Sequence, residues 1–233
     1  LNLVTLTNNQ TLSIGGGTTV AGLENLANTS TGAVYLLGNA TLTGGNVSTS
    51  GNVSLNATST SIGGANVTLG GNVTTNNTLA MTGNNVAINV NLTSTNGNVT
   101  LGGNTTSVTG GSITTGANGS STIGAATGNT SVGGNTTITG GNATLNGGNV
   151  STSGNLTLNT TNSSVNGTNV TLGGNVTANN TLAVAGDNVT TNANLTSTNG
   201  NVTLSGNTTN VTGGSITTGV NGTSTIGSAN GTT

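Results

Sequence analysis

Along most of the chain, short runs such as VTL, VST, LTS and ITT alternate an apolar position with a hydroxyl one, and each is followed by GGN, SGN or NGN. Alternation with a period of two puts Val, Leu and Ile on one face of an extended segment and Thr and Ser on the other. Val, Ile and Thr favour extended backbone, while Gly and Asn between the runs tolerate the positive φ of tight turns. The pattern therefore predicts three- to five-residue strands separated by corners. Helix is disfavoured, because Gly, Asn and Thr are poor helix formers and better ones are scarce.

The runs recur at a larger scale. Residues 39–130 match residues 142–233 at 69 of 92 positions without a gap, a period of 103 residues. NLTSTNGNVTL at 91–101 returns unchanged at 194–204. Cut before a recurring Asn, the first copy divides into units 46–65, 66–84, 85–103, a longer 104–128, and 129–148. The second follows as 149–168, 169–187, 188–206 and 207–231. A unit of about 20 residues cannot bury its apolar face alone, but stacked units can. The expected fold is all-β, a parallel β-solenoid with three short strands per coil. The chain divides into a less regular segment 1–38, a first repeat 39–141 and a second, truncated repeat 142–233.

This division aligns Asn46, Asn66, Asn85, Asn104, Asn129, Asn149, Asn169, Asn188 and Asn207 at one corner. Asn52, Asn72, Asn91, Asn135, Asn155, Asn175 and Asn194 share a second corner six residues on. Stacked Asn amides can hydrogen-bond from coil to coil, forming two ladders. Turn chemistry alone would also place Asn at corners.

Composition narrows the function classes. The chain has no Lys, Arg, His, Cys, Pro, Trp or Phe, and Glu24 and Asp187 are its only charged side chains. Without basic residues there is no counterion-driven binding to nucleic acid. General acid–base catalysis needs His or paired carboxylates, and a nucleophilic Ser or Thr needs an activating base. No catalytic residue, cofactor site, metal site or small-molecule substrate is expected, and the chain is read as a non-enzyme. Asp187 takes the slot that Asn84 holds in the first copy, which marks it as a corner variant. Many Asn residues lie in Asn-x-Ser/Thr sequences. A corner Asn followed by inward Val and outward Thr writes that motif automatically, and glycans on a subset are the alternative.

Runs such as NVTLGGNVTTNNTLAMTG (66–83) and STNGNVTLSGN (197–207) resemble the repeats of filamentous haemagglutinin-like adhesins and other large bacterial surface β-solenoid proteins. The resemblance covers about 39–233. It implies a right-handed parallel β-helix, exported and displayed outside the cell or on its surface. The secretion module of that family is not evident in the sequence.

A bare solenoid end exposes strand edges that must be capped or paired. The apolar start, with Leu1, Leu3, Val4 and Leu6, is a candidate assembly segment that would complete the last coil of a neighbouring copy. The expected partners are identical copies joined end to end, or flanking repeats of a longer chain. The first arrangement makes the protein a subunit of an extracellular filament, fibre or sheath. The second makes it the shaft of a cell-surface adhesin whose binding domain lies outside this segment.

Overall fold

A computed structural model describes residues 61–125 and 127–227 with their side chains, and before Ser61 the backbone of the strands alone. It is a β-solenoid. The strands form one 22-stranded sheet system in which every pairing is parallel and joins one coil to the next. No helix occurs among the described residues.

Each coil has three extended segments. In the coil that begins at Asn149 they cover 149–152, 156–159 and 162–167. Register across coils is close to perfect, as in Leu145↔Val165↔Val184↔Leu204 and Val150↔Val170↔Val189. Alternation decides which side chains enter the core. Strand Leu156–Leu172 opens with buried, half-buried and buried positions at Leu156, Thr157 and Leu158. Val67, Leu69, Val99, Leu101, Val170 and Leu172 are all at most 1% exposed. A core of Val, Leu and Ile stacked on their own kind buries most of each side chain, about 1.5–3 kcal/mol apiece relative to exposure.

Two features depart from the sequence reading. The first is strand length. The third segment of one coil and the first of the next form one strand, as in Thr78–Ile88 and Thr181–Asn192, and in Thr136–Thr152 and Leu156–Leu172, each 17 residues long, the preceding second segment joins them as well. The corner between those segments does not interrupt the hydrogen-bond ladder. The second is the role of the corner residues. No non-glycine residue described has positive φ, and few glycines do, among them Gly111 and Gly214. Asn does not adopt left-handed backbone at these corners. Most corner glycines are required for a different reason, close approach. A Cβ on Gly83 would lie 2.4 Å from the Gly64 carbonyl oxygen, and one on Gly186 would lie 2.4 Å from that of Gly167. Gly64↔Gly83↔Gly103 and Gly147↔Gly167↔Gly186↔Gly206 stack in register, so the absent side chains let adjacent coils touch at that corner.

The long unit 104–128 keeps its place in the stack. Its strands pair forward through Thr105↔Asn129, Ile113↔Ile138 and Ile123↔Leu145. The additional residues include a turn at 116–119, and 124, 125, 127 and 128 also lie outside the strands. This coil and the next turn hydroxyls inward where the coils on either side place Val, as Val86↔Thr106↔Thr130↔Val150 shows. The hydroxyls of Thr106, Ser121, Thr152 and Thr209 are buried and make no hydrogen bond among the described residues.

In the segment read as less regular, Thr5–Asn8 pairs with 25–28, Leu12–Ile14 with 34–36, and Thr19–Asn28 with Ala40–Thr49. The parallel coil ladder therefore extends back to Thr5, with a register irregularity between Val20 and Leu23.

Candidate functional site

The described residues contain no group of three His, Cys, Asp or Glu that could hold a metal, and their polar groups are arrayed at the corners and faces of the stack. No described helix is long and apolar enough to cross a membrane.

The first corner carries amide-to-amide bonds. Asn85 Nδ2 donates to Asn66 Oδ1 at 2.7 Å, and Asn149 to Asn129, Asn169 to Asn149 and Asn188 to Asn169, each at 2.8 Å. Each amide donates to the coil before and leaves its oxygen for the coil after, a chain that propagates because both groups are on one side chain. These amides are exposed. Asn46 pairs with Asn66 in backbone register.

Asn104 and Asn207 do not occupy that column. Asn85 is opposite Thr105, and Asn188 is opposite Thr208. Asn104 instead meets Asn84 at a long 3.4 Å, and Asn207 meets Asp187 at 3.3 Å. The displacement follows from the core. Aligning the buried Val108 with Ile88 and Thr106 with Val86 leaves Thr105 at the outward corner. Thr106 is an inward hydroxyl, so a reading that looks for Val after the corner Asn slips by one residue. Asp187 stands in the same column as Asn84 and accepts a bond from the next coil, as its position in the repeat implies.

The second corner works differently. Asn91 N–H donates to Asn72 Oδ1 at 3.0 Å, Asn155 N–H to Asn135 Oδ1 at 3.3 Å, and Asn194 N–H to Asn175 Oδ1 at 3.0 Å. The side-chain oxygen thus satisfies a backbone donor of the following coil, not another amide. In the long coils Ser takes over the position. Ser112 and Ser215 each donate both N–H and Oγ–H, to Asn91 Oδ1 and Asn194 Oδ1. Asn52 lies outside the described residues.

Other columns were not read from the sequence. Asn96 bonds Asn76, Asn199 bonds Asn179, Asn162 bonds Asn142 and Asn166 bonds Asn146, at 3.1–3.2 Å. A shallow surface groove is lined by Asn146, Gly147, Asn166, Gly167 and Thr168 along this last column. Among the sequence motifs open to glycosylation, Asn118-Gly119-Ser120 and Asn221-Gly222-Thr223 stand apart. Both Asn residues are exposed on turns and neither makes a side-chain hydrogen bond.

The glycine columns were also missed as such, although the two copies carry a signal. Where a Gly-Gly pair varies between copies, the first position changes and the second does not: Gly102 becomes Ser205 but Gly103 remains Gly206, and Gly63 becomes Asn166 but Gly64 remains Gly167. The second position is the one pressed against the neighbouring coil.

The coil ends differ from the body. Leu1, Leu3 and Val4 of the candidate assembly segment lie outside the described residues. Leu6 is in strand Thr5–Asn8, opposite Leu26, and no described strand pairs with the other edge of that strand. At the opposite end, Val211 is 39% and Ile226 is 44% exposed, while Val108 and Ile123, their counterparts one repeat earlier, are buried.

No protein-family model matches the chain, and neither the curated proteins nor the solved structures include a significant match.

Proposed function

We propose that this chain is a structural element of an extracellular filament, fibre or sheath, built by stacking β-coils end to end, and that it has no catalytic role. One observation carries the reading. The coil at 208–226 presents nearly the sequence of the coil at 105–123, whose apolar face is covered in register by the coil that follows it. There, Val132, Ile138 and Leu145 lie opposite Val108, Ile113 and Ile123. Ile216 is only half-buried and packs at the margin of the core. A coil face of this sequence is shaped to take another coil, from the same chain or from a neighbour. The side faces offer uncharged hydroxyls and amides, suited to an inert wall. Export to the cell surface is supported by the likeness of the repeats to filamentous haemagglutinin-like proteins.

The same face would accept a further repeat of a longer chain, which is the adhesin-shaft reading. Electron microscopy and sedimentation of the purified 233-residue chain separate the two. The filament reading expects uniform rods that lengthen with concentration. It also expects the double substitution Val211→Glu, Ile226→Glu to abolish them while the β-sheet circular dichroism persists. A wild-type chain that stays monomeric at high concentration overturns the filament reading and leaves the shaft.

A further inference from the structure

Six Asn-Gly dipeptides are among the described residues and fall into two structural classes; a seventh, Asn230-Gly231, lies outside them. Asn146-Gly147 and Asn166-Gly167 lie within long paired strands, and Asn166 Nδ2 donates to both Asn146 Oδ1 and Ser164 Oγ. Asn96-Gly97 and Asn199-Gly200 are at corners, where the amides bond Asn76 and Asn179 of the coil before. Their glycine N–H groups donate to the buried hydroxyls of Ser94 and Ser197, at 3.1 and 3.0 Å. Asn118-Gly119 and Asn221-Gly222 share none of these restraints. Each Asn side chain is exposed and without a partner, and each glycine N–H bonds only within its own turn, to Gly116 O and Gly219 O at 2.8 Å.

From this contrast we infer that Asn118 and Asn221 are sites of spontaneous conversion to aspartate and isoaspartate, and that the coil ladder protects the other four described Asn-Gly pairs. In this reaction the glycine backbone nitrogen gives its proton to solvent base and attacks Cγ of the preceding Asn. A C–N bond closes a five-membered succinimide, the bond to the side-chain nitrogen breaks, and ammonia leaves. Water then opens the ring at either carbonyl, so the net change is amide plus water to carboxylate plus ammonium. The step needs a side chain free to rotate onto a freed N–H. Glycine has no side chain to obstruct the attack. At the two exposed turns, opening one turn hydrogen bond frees that N–H and leaves the pairing between coils intact. At the other four sites, amide bonds between coils must break as well, and such opening belongs to the more stable part of the structure. Gly222 is half-exposed where Gly119 is buried, so Asn221 should react first. Each event adds one negative charge to a chain whose formal net charge is −2, a large relative change in its electrostatics.

The test incubates the folded full chain, made in a host that does not glycosylate, at mildly alkaline pH, with a parallel sample in denaturant. A broad-specificity protease, peptide mass spectrometry and isoaspartate detection then locate the products. The expected result is acid at Asn221 and Asn118, with Asn96, Asn146, Asn166 and Asn199 at least about tenfold slower in the folded sample, the factor set by about 1.4 kcal/mol of opening. In denaturant the six should converge. Equal rates at all six sites in the folded chain, or reaction at Asn118 and Asn221 only after unfolding, would overturn the assignment.

Discussion

Adding one methyl group at either member of a Gly-Gly pair separates close packing from turn chemistry as the reason for glycine. Gly133 and Gly134 are adjacent, and neither has positive φ. A Cβ on Gly133 meets nothing nearer than Ser153 Oγ at 3.8 Å and Thr109 Cγ2 at 3.9 Å. On Gly134 it would lie 1.7 Å from the Thr109 carbonyl oxygen and 2.5 Å from its carbon. Both obstructing atoms are backbone, so no rotamer change relieves the contact. The coils are held together beside that point by Gly133 N–H donating to Val108 O at 2.9 Å. Moving the backbone far enough to restore ordinary contact breaks a bond of that length. Losing one or two such bonds at about 1 kcal/mol each, with about 1–3 kcal/mol of overpacking strain, gives about 2–5 kcal/mol for Gly134→Ala. Gly133→Ala should instead be neutral or stabilising by up to about 1 kcal/mol, because Ala has less freedom to lose on folding. Guanidinium unfolding followed by circular dichroism measures both, and an unchanged m-value checks that the same structure is melting. Gly134→Ala within about 0.5 kcal/mol of wild type, or equal losses from both substitutions, would refute the close-approach argument.

Two further expectations concern the polar groups. Asn149 is bonded to Asn129 below and Asn169 above but is exposed, so Asn149→Ala should cost about 1 kcal/mol, whereas Asn104→Ala, with one bond at 3.4 Å, should fall within about 0.5 kcal/mol of wild type; a larger loss for Asn104 would mean the column assignment is wrong. The Thr152 hydroxyl is buried and unbonded between Val132 and Leu172 in its column, so Thr152→Val should stabilise by about 1 kcal/mol in the same denaturation assay, and a loss of stability would show that the hydroxyl has a partner.

The β-solenoid was legible because two periods agree: alternation along each run, and recurrence of the run about every 20 residues. Inward positions such as Val170 and Leu172 follow from the first, and their stacking from the second. The failures share a physical origin. Thr106 looks like a surface residue by type but points inward, so the corner Asn nearest to it was assigned one position out of register. Gly at a corner has two uses, permissive φ and absent volume, and composition does not distinguish them. Comparing Gly102 with Ser205 and Gly103 with Gly206 does distinguish them, because only the pressed position resists change between copies. The two Asn corners look alike in sequence yet bond differently. At the first, side-chain nitrogen meets side-chain oxygen, and at the second, the oxygen is taken by a backbone N–H. That choice depends on where the following coil places its donors, which is a property of register.

Within a stack of this kind, specificity cannot come from the side walls. The outward columns repeat Thr, Ser and Asn from coil to coil, as in Thr157↔Thr177↔Thr196↔Thr217, so any partner recognising one coil would recognise its neighbours almost equally well. Charge cannot break that degeneracy, since Asp187 is the only charged side chain among the fully described residues. What does break it is position along the axis. Val108 is buried beneath Val132 of the following coil, so an axial face selects its partner coil by shape and register. Stability in such arrays is close to a sum of coil and interface contributions, so an added coil gains roughly what each interior coil already has. On the filament reading, longitudinal stacking is therefore the interaction that substitutions at Val211 and Ile226 should weaken, far more than any comparable change on the walls.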